Sequence, residues 1–253
     1  RDLPPIQQAR MLDIVYWLYA TNPVAKRILE TTRDFVVGDG ITVQAIDRDE
    51  AIKVAVQEVI DRFWVDPINR MDLACHEFVL DLGLTGEQFW IVAVNPVNGH
   101  VRLGTIDSAM VDRVMRDEQN SRIFTDVILK SRVSQTGKPS RYRIVRLDED
   151  PQSETFGHLI GVQQDQDGTI QDTYQLSDSE SVPYDGACFA FRVNAVSGAT
   201  RGRSDLLSVT DAIDGLDQIV FGEIDRYILL KSFLWDMTIT GATDEKIKAA
   251  LAE

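Results

Sequence analysis

Leu82-Gly83-Leu84-Thr85-Gly86-Glu87-Gln88-Phe89-Trp90-Ile91-Val92-Ala93-Val94 is the stretch where the character of the chain changes. Before Gly83, apolar residues recur at helical spacing. After it, Phe89 to Val94 is a β-rich run, and Asn98-Gly99 separates it from a second such run, Val101 to Ile106. Asn-Gly between two β-rich runs signals a hairpin, because both residues tolerate positive φ. The junction therefore decides the fold class: helices first, then antiparallel strands, an α+β order and not an alternation of strands and helices.

Working back from the junction, residues 4 to 37 read as helix interrupted at Asn22-Pro23, with Asn22 as N-cap and Pro23 at the first helical position. Ala25, Ile28, Leu29, Phe35 and Val36 then recur at helical spacing. Gly38-Asp39-Gly40 ends this helix and leads into a short strand expected over Ile41 to Ile46. A helix over Glu50 to Trp64 carries Ile52, Val56, Val59, Ile60 and Phe63, and Asp66-Pro67 stops it. Asn69, with Asp72 three residues on, predicts the N-cap of another helix running to about Leu82.

Working forward, strands are expected at Val111 to Met115, Phe124 to Leu129, Arg141 to Arg146 and Cys188 to Val193. A second hairpin, His158 to Gln164 and Thr169 to Leu176, is expected around Asp167-Gly168. Ser204 to Lys231 reads as one long helix capped by Ser204. Val209, Ala212, Ile213, Leu216, Ile219, Val220 and Tyr227 cover one face, and Asp211, Asp214 and Asp225 gather on another. Phe233 to Thr240 reads as a closing strand. Thr243-Asp244-Glu245 opens a last helix that reaches Glu253 without a closing glycine or proline, so the reading expects it to continue. Three segments result: 1–86 mainly helical, 87–193 β-rich, and 194–253 a long helix, a strand and the start of a helix.

The 253 residues suffice for one large domain or two small ones. A hydrophobic share of 44% and a charged share of 26% are those of an ordinary globular protein. No apolar run reaches the ~20 residues of a membrane span. The formal net charge is -14, with 26 Lys and Arg against 40 Asp and Glu. That balance argues against a general DNA-binding surface, which needs cations to neutralise phosphates. It suits a surface that DNA passes without sticking. Two cysteines, Cys75 and Cys188, are too few for a disulfide framework and read as buried thiols.

Catalytic patterns are weak. His76, beside Cys75 on a helix, points about 100° away from it, while His100 and His158 stand at strand ends, so no zinc site is expected. Ser197-Gly198-Ala199-Thr200-Arg201-Gly202-Arg203-Ser204 resembles a phosphate loop opening a helix, but its glycine spacing is short by one and Arg203 stands where the lysine belongs. Glu87 is the most suggestive carboxylate, and the simpler reading has it satisfy a backbone group at a strand end. No catalytic residue, cofactor or metal is expected.

Four segments together resemble the portal proteins of tailed double-stranded DNA phages: Ala20-Thr21-Asn22-Pro23 to Ile28 with Asp34 to Ile41; Asp61-Arg62-Phe63-Trp64 with Asp66-Pro67 and Asn69 to Asp72; Leu82 to Trp90; and Val193-Asn194 through Ala199-Thr200-Arg201-Gly202-Arg203-Ser204-Asp205-Leu206-Leu207 to Leu234-Trp235-Asp236. They cover most of the chain in the family's order, with residues 107 to 185 least family-like, and their co-occurrence is the specific signal. The resemblance implies the wing of a subunit in a ring of about a dozen copies at one capsid vertex, with stem, clip and crown lying outside this stretch. It further implies docking of the terminase large subunit, contacts with capsid, scaffold and head-tail adaptor proteins, DNA passing through without sequence-specific binding, and residence in the virion, with assembly in the host cytoplasm. A candidate subunit interface pairs Arg201 and Arg203 with a neighbour's Asp211, Asp214 and Asp225. Two other readings stand beside this one: a phage-associated nucleotide-binding or hydrolytic protein using Gly198 to Ser204, and a monomeric adaptor binding through the β-rich middle.

Overall fold

Proline and asparagine set the first two helices. In the computed structural model, α1 (Pro5–Thr21) begins on a proline and ends at Asn22, whose Oδ1 accepts from the backbone N–H groups of Val24 (2.9 Å) and Ala25 (3.0 Å) and so caps α2 (Pro23–Val37). The structure describes residues 3–95, 97–117, 120, 122–133, 139–148, 152, 159–160, 173–177, 180–196, 198–232, 241 and 243–250. Met11, Leu12, Val15 and Leu18 of α1 and Ala25 and Leu29 of α2 are buried. Gly38 closes α2 at φ +53.

Ile41 to Ile46, expected as a strand, takes no regular secondary structure and joins no sheet. Its backbone is held by a side chain instead. Gln57 of α3 (Glu50–Trp64) accepts from Ala45 N (2.8 Å) and donates to Val43 O (3.2 Å). A glutamine can supply both ladder bonds locally, so β-propensity here finds an amide in place of a partner strand.

Asn69 is a second departure. The residue before α4 (Met71–Thr85) is Arg70, in the left-handed region at φ 42, and its side chain makes no cap. Asn69 reaches across to β2 (Val101–Ile106), donating Nδ2 to Val101 O (2.8 Å) and accepting from Leu103 N (3.1 Å). Its amide thus continues the ladder on the outer edge of the sheet and blunts that edge. The helix runs to Thr85, three residues past the expected end.

β1 (Glu87–Val94) pairs antiparallel with β2 as expected, through a loop from Asn95 to His100 that contains Asn98 and Gly99 (φ +69). The remaining strands are β3 (Val111–Arg116), β4 (Phe124–Val133), β5 (Pro139–Ile144), β6 (Arg146–Leu147), β7 (Leu159–Ile160), β8 (Thr173–Ser177), β9 (Glu180–Pro183) and β10 (Gly186–Arg192). Four of these join β1 and β2 in one mixed sheet in the order β2-β1-β10-β5-β4-β3, parallel only between β10 and β5. The architecture is α+β. Phe89, Val111, Val114, Val127, Leu129, Tyr142, Ile144 and Cys188 make the core on one face of the sheet. Val37, Met71, Ala74 and Cys75 make a second core, joined by Phe63, Trp64 and Phe78.

Asp167-Gly168, the expected second hairpin turn, lies outside the described residues. Within them, β7 pairs with β6 and β8 pairs with β9. The segment Phe233 to Thr240 also lies outside them. Ser204 caps a 3-10 turn, Asp205–Ser208, and not the long helix, which starts at Thr210 as α5 (Thr210–Ser232). A last helix, α6 (Asp244–Ala250), follows Thr243.

The chain divides into two compact units, Arg1–Val209 and Thr210–Glu253. The expected helical and β-rich segments thus belong to one unit. In the second, Leu216, Ile219, Val220 and Tyr227, which the sequence places on one helix face, are exposed.

Candidate functional site

Two glycines 116 positions apart in sequence, Gly86 and Gly202, make the closest backbone crossing among the described glycines of the first unit. Gly86 closes α4 at φ +80, and a Cβ on it would lie 2.2 Å from the Arg203 backbone. A Cβ on Gly202 would lie 1.7 Å from the Gly86 carbonyl oxygen. Only bare backbones pass at this distance. The crossing is stitched by Val193 N donating to Gly86 O (2.8 Å) and Arg203 N donating to Val193 O (3.2 Å). Asn194, at φ 53, donates Nδ2 to Arg203 O (3.1 Å) and to Asp205 Oδ1 (2.5 Å).

Touching backbones bring the flanking side chains face to face. Glu87, 1% exposed, receives Arg201, 9% exposed. Arg201 Nε lies 2.9 Å from Oε1 and 2.8 Å from Oε2 of Glu87, and Nη2 also donates to Oε1. The remaining guanidinium donors reach Ser108 O (3.1 Å) and Val111 O (3.4 Å). Glu87 Oε2 accepts a further bond from Gly202 N (3.0 Å), and Gln8 of α1 donates to Gly202 O (3.3 Å). The clasp therefore ties α1, the first strand, the turn before β3 and the 199–204 loop together. The Glu87 carboxylate and the Arg201 guanidinium each hold several hydrogen bonds, the condition under which a buried ion pair is tolerated.

The expectation that Glu87 satisfies a backbone group at a strand end is met through Gly202. Arg201, expected to reach a neighbouring subunit, finds its carboxylate within its own chain. Arg203 is half-buried and its main chain forms part of the crossing. Asp211, Asp214 and Asp225 are all exposed on α5, with Gln218 Nε2 donating to Asp214 (2.8 Å). Two donors of the phosphate-like loop are already engaged. Gly202 N and the Arg201 guanidinium are directed at Glu87, so the anion in this loop is the chain's own carboxylate. Arg116 also donates to Gly198 O (2.7 Å).

A second buried network sits on the sheet. Asp126, 2% exposed, accepts from Tyr184 Oη (2.5 Å) and from Arg141 Nη2, and Arg143 Nη1 lies 3.3 Å from the same Tyr184 oxygen. Burial, then the bond to Asp126, pushes the Tyr184 hydroxyl up to about 12. Burial, with Asp126 nearby, pushes the Cys188 thiol up to about 12, and burial raises Cys75 as well. Thiols held protonated are poor nucleophiles. Both cysteines are free and buried, as the sequence suggested.

His100 Nε2 bonds Asp66 Oδ2 (2.6 Å), and Asp66 Oδ1 accepts from Ile68 N (2.7 Å) and Asn69 N (3.1 Å). The His100 bond, followed by these backbone bonds, holds the Asp66 carboxyl below its ordinary range. His76 is half-buried on α4, and His158 lies outside the described residues. Among the described residues, no three His, Cys, Asp or Glu side chains are grouped to hold a metal, and no helix is long and apolar enough to cross a membrane. A cleft of ≈ 660 Å³ between Ile41–Ala45 and α3 is lined by Val43, Lys53, Gln57, Ile60, Asp61 and Trp64.

Sequence reasoning singled out Glu87 and Arg201 separately and missed that they are partners. The signal was present: Gly86-Glu87 and Arg201-Gly202 each set a glycine beside a charge, and the charges are opposite. A scan against protein-family models and a search of curated proteins return no match.

Proposed function

We propose that this chain is the body of a phage portal subunit, a structural ring component through which DNA enters and leaves the capsid, and not an enzyme. One observation carries the reading. Two of the four segments that carry the resemblance, Leu82 to Trp90 and the Val193 to Leu207 part of the last, are the two sides of the Gly86–Gly202 crossing and the Glu87–Arg201 pair. Residues that look like one family in two distant segments are thus the residues one structural device requires, and the device serves stiffness. A ring subunit under packing load needs such a scaffold and no catalytic group. The charge of -14 and the exposed Asp211, Asp214 and Asp225 support a conduit wall that repels the DNA backbone.

Under this reading the partners are further copies of the chain, the terminase large subunit, capsid and head-tail adaptor proteins, and DNA in transit, in the virion and, during assembly, in the host cytoplasm. Nucleotide binding by the Gly198 to Ser204 loop is the weaker reading, because Gly202 N and the Arg201 guanidinium already hold Glu87. Native mass measurement on protein expressed from the complete reading frame tests the proposal. A closed species of about a dozen subunits is expected, and a monomer at all concentrations overturns it.

A further inference from the structure

Asn98-Gly99 is the one Asn-Gly pair in the sequence, and it lies in the loop that joins β1 to β2. The chain has six asparagines, and the structure sorts them by what happens to the side-chain amide. Asn22 and Asn69 are buried, and each uses its amide on backbone groups of other residues. Asn22 and Asn95 are followed by proline, which has no N–H. Asn194 commits its Nδ2 to Arg203 O (3.1 Å) and Asp205 Oδ1 (2.5 Å). Asn120 is exposed but precedes Ser121, whose side chain crowds the nitrogen behind it. Asn98 is exposed, and its Nδ2 has no hydrogen-bond partner among the described residues. Gly99 carries no side chain, and a Cβ added there would meet nothing within 4 Å, so the space beside its backbone is open.

The carbonyl side of the same amide is already engaged. His100 N donates to Asn98 Oδ1 (3.0 Å). A nitrogen adding to Cγ drives negative charge onto Oδ1, and an N–H aimed at that oxygen stabilises the charge as it forms. The nearest such nitrogen along the chain is Gly99 N, which donates to Asn95 O (2.8 Å). Asn95, Asn98 and Gly99 are all exposed, and local opening costs least at such loop tips.

We propose that Asn98 is a site of self-modification, converting to isoaspartate and aspartate with water as the only co-reactant. Gly99 N gives its proton to solvent and bonds to Asn98 Cγ, and the side-chain nitrogen takes a proton from solvent and leaves as ammonia. The product is a five-membered succinimide. Water then adds to one of its two carbonyl carbons. Breaking the bond from Cγ to Gly99 N gives aspartate. Breaking the bond from the main-chain carbon to Gly99 N leaves the backbone running through Cγ, as isoaspartate. Nothing is oxidised or reduced, and the proton released by the new carboxyl group goes to ammonia.

Isoaspartate puts one extra carbon into the backbone between Asn95 and His100. Three bonds depend on the length of this stretch: Asn95 N to His100 O (2.8 Å), Gly99 N to Asn95 O, and His100 Nε2 to Asp66 Oδ2 (2.6 Å). The new carboxylate also stands two residues from His100, where it competes with Asp66 for the imidazole. The modification therefore loosens the tie between this loop and the turn that precedes α4. It requires no second copy of the chain, so its test is independent of the portal reading.

The test incubates the full chain in warm, mildly alkaline buffer beside a synthetic peptide of residues 95–100, with samples mapped by peptide mass over days. The fragment containing Asn98 is expected to gain about one mass unit and to become a substrate for an isoaspartate-specific carboxyl methyltransferase. The native chain is expected to convert within about tenfold of the free peptide's rate, because one exposed bond has to open first. Asn98→Ser, whose hydroxyl can still accept from His100 N, is expected to abolish the gain and to keep the parent's melt. A native rate about a hundredfold or more below the peptide's shows that the loop protects the amide and overturns the proposal. Conversion of another asparagine before Asn98 also overturns it. In the converted fraction the Asp66 carboxyl midpoint is expected to rise, and an unmoved midpoint overturns the loosening of the His100 tie.

Discussion

Replacing Arg201 with methionine leaves the Glu87 carboxylate 1% exposed, with Gly202 N as its remaining donor among the bonds described above. Breaking a buried pair from one side costs about 3–5 kcal/mol, because the surviving charge is stranded. Domains of ordinary size have only ~5–15 kcal/mol of stability in total. At ~2–4 °C per kcal/mol for a unit of this size, the melting temperature falls by roughly 6–20 °C. Glu87→Leu is expected to cost a similar amount, since the guanidinium is then the stranded charge. The double variant Glu87→Leu/Arg201→Met removes both charges. It leaves the Gly202 N–H and the Ser108 and Val111 carbonyls short of partners, at about 1 kcal/mol each. It should therefore lie within about 3 kcal/mol of the parent, far above the sum of the singles. Urea denaturation of all four chains, compared at constant m, measures the cycle. Singles costing under ~1 kcal/mol, or a double equal to the sum of its singles, refutes the clasp as the constraint on this part of the fold.

Gly202→Ala and Gly86→Ala meet backbone within 1.7 Å and 2.2 Å respectively, so each should cost more than ~4 kcal/mol and leave little folded protein at 37 °C, checked by soluble yield and melting temperature. Tyr184→Phe takes one donor from the buried Asp126 and should cost about 1–3 kcal/mol in urea denaturation, with the sheet otherwise intact. Asp66 has a folded pKa below its ordinary value of 3.8, so the stability it contributes is present above that value and is lost as pH falls through the folded pKa. His100→Ala should raise the Asp66 midpoint in a carboxyl NMR titration and shrink that acid-side loss; an unmoved midpoint rules out His100 as the main cause.

The helices up to Gly86 were legible because apolar spacing, Asn22-Pro23 and Asp66-Pro67 are local signals, and the caps they predict act within four residues. The first hairpin was legible for the same reason. Ile41 to Ile46 and Asn69 were misread because their partners are side-chain amide contacts with remote elements: Gln57 supplies ladder bonds to the former, and Asn69 supplies them to β2. The sheet order was not legible, since β10 inserts beside β1 from almost a hundred residues away and nothing in its own pattern names that neighbour. Charge pairing was half legible. Glu87 and Arg201 stood out singly, yet only the glycine crossing shows that they meet. The long helix was recognised by its period, but period alone assigns an apolar face to a core.

Electron microscopy of the protein from its complete reading frame tests the central claim most directly. Uniform rings of about a dozen subunits around an open axial channel are the predicted result. Monomers or compact dimers with no channel, at concentrations where assembly proteins self-associate, contradict it.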